Sequence, residues 1–341
     1  MTTTRRRLLL NSLAIGAAGA AGSLSSLAGA APGPVDLSKV VLTVGTPNKT
    51  GLRRQLIASG EGEKTPYEIR YADFDSTPPL MEALRAGRVD IAAGGETGVL
   101  LAIANGVKVS ILAGTIERRH SGSAILVRAD SALKSIADLR GRKIALPYFT
   151  KQHYQLAVAL KQAGVPWDEK LILRLNTTDG LSALVNRQVD AFVVWDPNAA
   201  IAQVQHGARV LYSLKQAIDN AGVLYAPAAS LDDPLRKAAL QDLTRRIVRA
   251  QAWVNRHPAE WAEQVSRLAQ ISIEAARLQT DRSQIDYVSA DDADILAGWR
   301  TQVAFFRTTG AFRTDVKVED FIARDFSAVV ADEARKLTAR Q

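Results

Sequence analysis

The 341-residue chain has no cysteine, which excludes disulfides, a thiol nucleophile and a lipid anchor attached through a cysteine. It has four histidines, His120, His153, His206 and His257. None is spaced from another histidine or a carboxylate as metal ligands on a helix are, so no metal and no other cofactor is expected. There is no Gly-x-Ser-x-Gly elbow, no Gly-Lys phosphate loop and no dinucleotide-binding glycine pattern. Basic residues outnumber acidic ones, 43 to 35. They are dispersed, with short clusters at Arg53-Arg54, Arg118-Arg119 and Arg245-Arg246 and no run interleaved with aromatics. Nucleic acid is therefore not an expected partner, while a mild bias towards anionic solutes is. Beyond residue 30 no stretch is long and apolar enough to span a bilayer.

What is present begins with Arg5-Arg6-Arg7 followed by Leu8-Leu9-Leu10, an uncharged Ala/Gly/Leu/Ser run, and the small residues Ala28-Gly29-Ala30. This order, charge then weakly apolar run then small-residue cleavage site, reads as an export signal over residues 1–30. The consecutive arginines before the leucines resemble a twin-arginine signal, and an ordinary secretory signal shares the same order. Without those three arginines the formal charge falls from +8 to +5. The remaining length and an apolar content of 47% suit a soluble globular protein of two modest cores.

The region around which the rest is organised runs from Phe74 to Thr97. Residues 67–74 alternate as a strand, Ser76 or Thr77 caps a helix whose first turn holds Pro78 and Pro79, and Gly87 ends it. A short strand at 89–94 follows, and Gly94-Gly95-Glu96-Thr97 turns into a helix at 98–104. Two helix N-termini thus emerge at the ends of neighbouring strands, where unpaired N–H groups suit a small anion. Strands are also expected at 40–45, 107–114, 123–127, 143–146, 171–175, 190–195, 208–214 and 223–226. Helices are expected at 52–59 and 152–163, after Asn176 and after Asp196-Pro197. From Leu231 onward the pattern is almost continuously helical: 233–256, 258–269, 273–278 and 293–308.

A weak internal repeat runs through this pattern. Ala83-Leu84 and Val89-Asp90 recur as Ala183-Leu184 and Val189-Asp190, one hundred residues later. Each copy is a capped helix, a Val-Asp pair and a buried strand turning into a helix, which suggests two lobes of similar plan facing one another.

Among single residues, Asp196 follows the apolar run 191–195. Asp before Pro at a helix start is an N-cap with Pro at N1, and a cap at a cleft can also touch a ligand. Trp195 suits either the core or a pocket wall. Thr150 and Lys151 begin a helix, as solvated surface or as anion contacts, and His153 sits where it could face a cleft.

With those residues named, the chain resembles the solute-binding proteins of ATP-driven (ABC) importers, in the aliphatic sulfonate group related to the taurine and nitrate binders. The resemblance runs from about Val40 to Tyr225. It is carried by residues 68–106, by Ser123-Ala124-Ile125-Leu126-Val127 with Ser135-Ile136-Ala137-Asp138-Leu139-Arg140-Gly141, by His153-Tyr154, and by residues 189–197 ending in Trp195-Asp196-Pro197.

It implies an α/β, two-lobed periplasmic-binding-protein type II fold with two crossover strands and a helical C-terminal tail. Lobe 1 would be residues 38–121 with 227–341 and lobe 2 residues 122–226, the chain crossing near 121–123 and 224–226. It also implies a monomeric, non-enzymatic periplasmic protein without a lipid anchor, whose partners are a small organic anion, such as an aliphatic sulfonate, and an inner-membrane ABC permease. Taurine, nitrate or a pyrimidine-type vitamin precursor are the other ligands implied, and a pyrimidine-synthesising enzyme shares the fold.

By position the ligand contacts would be Asn48, Ser76, Thr77, Glu96, Thr97 and Thr150 with Trp195 and Asp196, joined by Phe149, Lys151 and His153. Three departures stand out. Phe149-Thr150-Lys151 replaces a small Gly-Ser-Ser-like loop, Thr46-Pro47-Asn48-Lys49 replaces a Gln-containing turn, and Glu96 replaces Asp. Phe149 would narrow the pocket if it points inward, and Lys151 would add a cation.

Overall fold

A computed structural model describes residues 35–47, 50–119, 122–218, 222–309, 311–312 and 316–339. The export segment at 1–30, Asn48, Lys49, His120 and Ser121 lie outside the described residues. Two sheets organise the rest. The first contains β1 (Val41–Thr46), β2 (Glu68–Asp73), β3 (Ile91–Gly95), β4 (Val109–Glu117), β10 (Gly222–Pro227) and β11 (Ile285–Val288), in the order β11-β4-β10-β3-β1-β2. The second contains β5 (Ala124–Val127), β6 (Ile144–Leu146), β7 (Ile172–Arg174), β8 (Ala191–Val194) and β9 (Arg209–Ser213), in the order β7-β6-β8-β5-β9.

Each sheet is covered on both faces. The first carries α1 (Leu52–Ala58), α2 (Thr77–Arg85) and α3 (Glu96–Ala104), and the second carries α4 (Lys151–Gln162), α5 (Thr177–Val185) and α6 (Asn198–His206). Strands buried on both faces read as unbroken apolar runs, and all of Ala-Ile-Leu-Val in β5 and Ala-Phe-Val-Val in β8 are buried. The C-terminal part supplies α7 (Pro234–Arg256), α8 (Pro258–Ala269), α9 (Ile273–Asp281), α10 (Ala293–Thr308) and α11 (Arg324–Thr338). On one face of the first sheet, Trp299, Val303 and Phe306 of α10 pack with Leu80, Leu84 and Val99. On the other, Leu240, Leu243 and Ile247 of α7 and Phe326 of α11 pack with Leu42, Val44 and Leu56.

The hundred-residue repeat is visible in the hydrogen bonds. Val44 pairs with Ile91 between β1 and β3, and Ile144 with Ala191 between β6 and β8. The Asp90 carboxylate accepts from Thr43 N–H at 2.7 Å, and Asp190 from Lys143 N–H at 2.9 Å. Each aspartate therefore anchors the start of a neighbouring parallel strand, which explains why Val-Asp recurs.

One expectation about the chain's course needs correcting. The segment 223–226 lies within β10, hydrogen-bonded to β3 and β4 of the first sheet. The return from the second sheet therefore comes earlier, between Gln216, which ends the 3-10 turn after β9, and Gly222. The tail is helical as expected, with one short strand among its helices. Its four-residue strand β11 joins the edge of the first sheet beside β4, and so short a run between helices carries little periodicity to betray it.

Candidate ligand-binding cleft

In open α/β sheets the carboxyl ends of parallel strands leave a crevice where helices begin. Here two such ends meet. Pro47 and Thr50 after β1, Gly94 and Gly95 at the end of β3, Thr150 and Lys151 before and at the start of α4, and Trp195 and Asp196 after β8 line one cavity of about 230 Å³. This is small beside the roughly 300–1,000 Å³ of drug-sized sites. The crossing segments add Glu117, Gly122, Ser123 and Gly222, and the tail closes the remaining side with Val254, Trp261, Gln279 and Tyr287.

Side-chain bridges join groups of the two sheets across the cleft. Lys151 Nζ lies 2.8 Å from Glu117 Oε1, with both side chains largely buried. Arg282, after α9, makes a two-pronged contact to Asp196, Nε to Oδ2 at 2.8 Å and a terminal nitrogen to Oδ1 at 2.5 Å. The Thr177 hydroxyl, on the first residue of α5, donates to Asp75 Oδ1 at 2.8 Å. Close approach is permitted by glycines: a Cβ on Gly95 would stand 2.9 Å from Lys151 Cβ, and one on Gly122 would strike the Asp196 carboxylate.

Of the residues expected at a ligand, the structure brings Thr77, Thr150, Lys151, Trp195 and Asp196 to this cavity. Trp195 serves both roles considered for it, lining the cavity and packing against the second sheet's core. Asp196 caps from one residue further out than expected. Pro197 is the N-cap of α6, and the Asp196 carboxylate accepts from Ala200 N–H at 3.0 Å while holding Arg282.

The others are elsewhere. Ser76 is the N-cap of α2 without a side-chain capping bond and does not line the cavity. Glu96, 1% exposed, turns towards α10 and accepts from Gln302 Nε2 at 2.7 Å. Thr97, next to it, is fully buried. Neither lines the cavity, and every residue of α3 but Ala102 is buried. Phe149 is 42% exposed and does not narrow the pocket. Its backbone has φ of 59°, which sends the ring outward onto Tyr148 at 4.8 Å. A side-chain-bearing residue in that region costs roughly 1–2 kcal/mol.

His153 is likewise not a cleft residue. Its ring stacks on Tyr148 at 4.0 Å, lies 5.3 Å from Trp167 and 5.8 Å from Phe306, and accepts from Phe149 N–H. Burial lowers its pKa to about 4. Because the folded value lies below the ordinary 6.5, the neutral ring's contribution is complete above pH 6.5 and is lost as pH falls towards 4. The wild-type unfolding free energy measured in urea should therefore drop between pH 7 and 4.5, by at most ~1.4 kcal/mol per pH unit from this group. His153→Gln should show a shallower pH slope, and an unchanged slope would refute the assignment.

The residues not foreseen are Glu117, Gln279 and Arg282. Glu117 ends a strand that otherwise reads as core, and Arg282 meets its partner 86 positions away. Such long-range pairing leaves no local spacing to recognise. Among the described residues no cluster of histidine and carboxylate could hold a metal ion, and no helix is long and apolar enough to cross a membrane.

Residues 68–260 match the family model described as NMT1/THI5 like, and the chain belongs to that family. A protein of Escherichia coli (strain K12) named for binding aliphatic sulfonates is 32% identical over 144 residues, 42% of this chain and 45% of that protein, so the match spans under half of that relative's length. A Bacillus subtilis (strain 168) protein of the same name is 24% identical over 279 residues, 80% of this chain and 81% of that protein. Among solved structures, the alkanesulfonate-binding protein SsuA from Xanthomonas axonopodis pv. citri bound to MOPS superposes with a TM-score of 0.76 at 20% identity, covering 84% of this chain and 98% of that one. The desulfurization enzyme DSZB superposes with a TM-score of 0.62 at 17% identity, covering 87% and 99%. At these identities the structural likeness establishes the fold, that of the periplasmic binding proteins, and leaves the chemistry to the site.

Proposed function

We propose that this protein is the substrate-binding component of an ABC importer, capturing a small organic anion, an aliphatic sulfonate, between two closing lobes. The observation that carries the reading is the cleft itself: two α/β sheets present their strand ends to one small cavity, with Lys151 on its wall and Arg282 behind Asp196. The lobes are those built on the first and on the second sheet. A ligand touching both lobes favours the closed arrangement, and closure is what a permease reads.

The sulfonate's three oxygens would take hydrogen bonds from Lys151 Nζ, the Ser123 hydroxyl and N–H groups where α4 begins. Asn48, which the resemblance implies as a ligand contact, is kept in the proposed contact set. The tail would lie against Trp195 and Trp261, which line the apolar part of the cavity.

The relatives named for aliphatic sulfonates support this choice of ligand. Capture without chemistry belongs to the same proposal, and the relatives named as binding proteins support it. We assign the protein to the periplasm, exported by a twin-arginine or ordinary secretory signal, as a monomer. Because a ligand that binds only the folded state raises stability, a thermal-shift panel of alkanesulfonates, nitrate and a pyrimidine vitamin precursor tests the reading. Stabilisation by a sulfonate is expected; a shift for nitrate or the pyrimidine and none for any sulfonate would overturn it.

A further inference from the structure

Outside the arginine cluster at its start, the chain's charge of +5 is unevenly placed. Residues 122–218 hold 12 lysines and arginines against 7 aspartates and glutamates, so the part built on the second sheet carries all of it and the rest sums to zero. The excess gathers at one end. β6, β7 and β8 run parallel, and the carboxyl ends of β6 and β8 lead into the cleft. At the opposite, amino ends, Arg142 and Lys143 precede β6, Lys170 precedes β7, and Lys161 stands in the last turn of α4, which returns to that end. The Arg140 guanidinium donates to the Gly164 carbonyl at 2.7 Å, just past α4. Arg142, Leu160, Val165 and Leu171 share one small hollow of about 90 Å³.

With Lys134, whose N–H bonds Asp138 at 2.8 Å, these make six exposed cations, none of which has a carboxylate within ion-pair distance among the described residues. The three carboxylates near them hold backbone instead. Asp138 also accepts from Ser135 N–H at 2.9 Å, Asp190 from Lys143 N–H at 2.9 Å and Asp168 from Lys170 N–H at 3.0 Å. The hollow is too small to seat a peptide, and long cationic chains spread over a face without a groove suit a broad, fluid layer of negative charge rather than one fixed acid. We infer that this end of the second sheet is a docking surface for a bilayer rich in anionic phospholipid. It would hold the protein at a membrane with the cleft on the far side, whatever ligand the cleft takes.

Vesicle flotation tests this. Residues 36–341 form one compact unit, so the chain is begun at Ala31, without the arginines and apolar run that would bind lipid themselves. It should associate at low salt with vesicles of equal parts phosphatidylglycerol and phosphatidylcholine, and be released at high salt, which screens each charge. Pure phosphatidylcholine should not hold it. Each Lys or Arg beside an anionic leaflet contributes about 5-fold in association, so Arg142→Gln with Lys143→Gln should lower it by roughly 25-fold, as two such charges do. Lys161→Gln with Lys170→Gln should do the same, so the result does not depend on one variant folding. Arg85→Gln with Arg88→Gln removes two exposed charges at the end of α2, on the first sheet, and should leave association nearly unchanged. Equal association with both kinds of vesicle overturns the inference, and so does an equal loss on removing Arg85 and Arg88, which would mean that net charge alone matters. No association with the anionic vesicles also overturns it, and leaves an acidic protein as the partner this face would fit.

Discussion

Lys151→Met is expected to weaken sulfonate binding by roughly 10- to 150-fold. The loss of a charge-assisted hydrogen bond to the ligand accounts for about 1.5–3 kcal/mol, which is roughly 10- to 150-fold. A further cost comes from Glu117, whose side chain is 15% exposed and loses its cation across the cleft. Removing one partner of a buried pair costs about 3–5 kcal/mol, discounted here because water reaches part of the site. The variant should therefore also unfold at a lower temperature. Lys151→Met combined with Glu117→Met separates the two effects. With both charges gone and similar volume retained, stability should return towards wild type while sulfonate affinity stays low. Recovery of affinity in the double variant would mean that Lys151 acts only through the fold.

Arg282→Ala should have an effect of similar size by a different route. Arg282 holds Asp196 through two bonds, and these link the C-terminal tail to the loop after β8. Both side chains are more than four-fifths buried, 16% and 11% exposed, so an unpaired Asp196 is costly in the closed arrangement. Part of that cost can be relieved by opening the cleft, which hydrates the carboxylate. The expected result is a ~100-fold loss of affinity, mainly through faster dissociation, with a larger radius of gyration in small-angle scattering and a smaller effect on the unfolding midpoint. Arg282→Lys keeps the charge but not the planar two-pronged contact, and should fall between the two. An unchanged dissociation rate in Arg282→Ala would show that this bridge does not hold the lobes together.

How far the sequence announces this arrangement depends on the range of the interactions involved. Strands and helices of the first 230 residues are legible because burial on both faces makes β5 and β8 continuously apolar. Caps also mark their ends: Asn176 accepts from Asp179 N–H at the start of α5, and Asp233 caps α7. The repeat is legible because two aspartates, Asp90 and Asp190, do the same work one hundred residues apart.

The cleft is legible only in part. Thr77, Thr150 and Lys151 sit at helix starts, and strand ends dictate which way helix starts face. Glu96 also begins a helix, yet its side chain is claimed by Gln302 on α10, 206 positions away. Phe149 is turned outward by its left-handed backbone, a local conformation that its residue type does not advertise. Arg282 and Gln279 come from a tail that reads simply as helix, and only the packing of α9 against α8 and α6 makes it a wall of the site.

The position of a bound sulfonate in a co-crystal tests the central claim most directly. The sulfur group is expected between the two sheets, with an oxygen within ~3.2 Å of Lys151 Nζ and the tail against Trp195 or Trp261. A sulfonate bound with comparable occupancy only outside this cleft, or inside it without contact to Lys151, would contradict it.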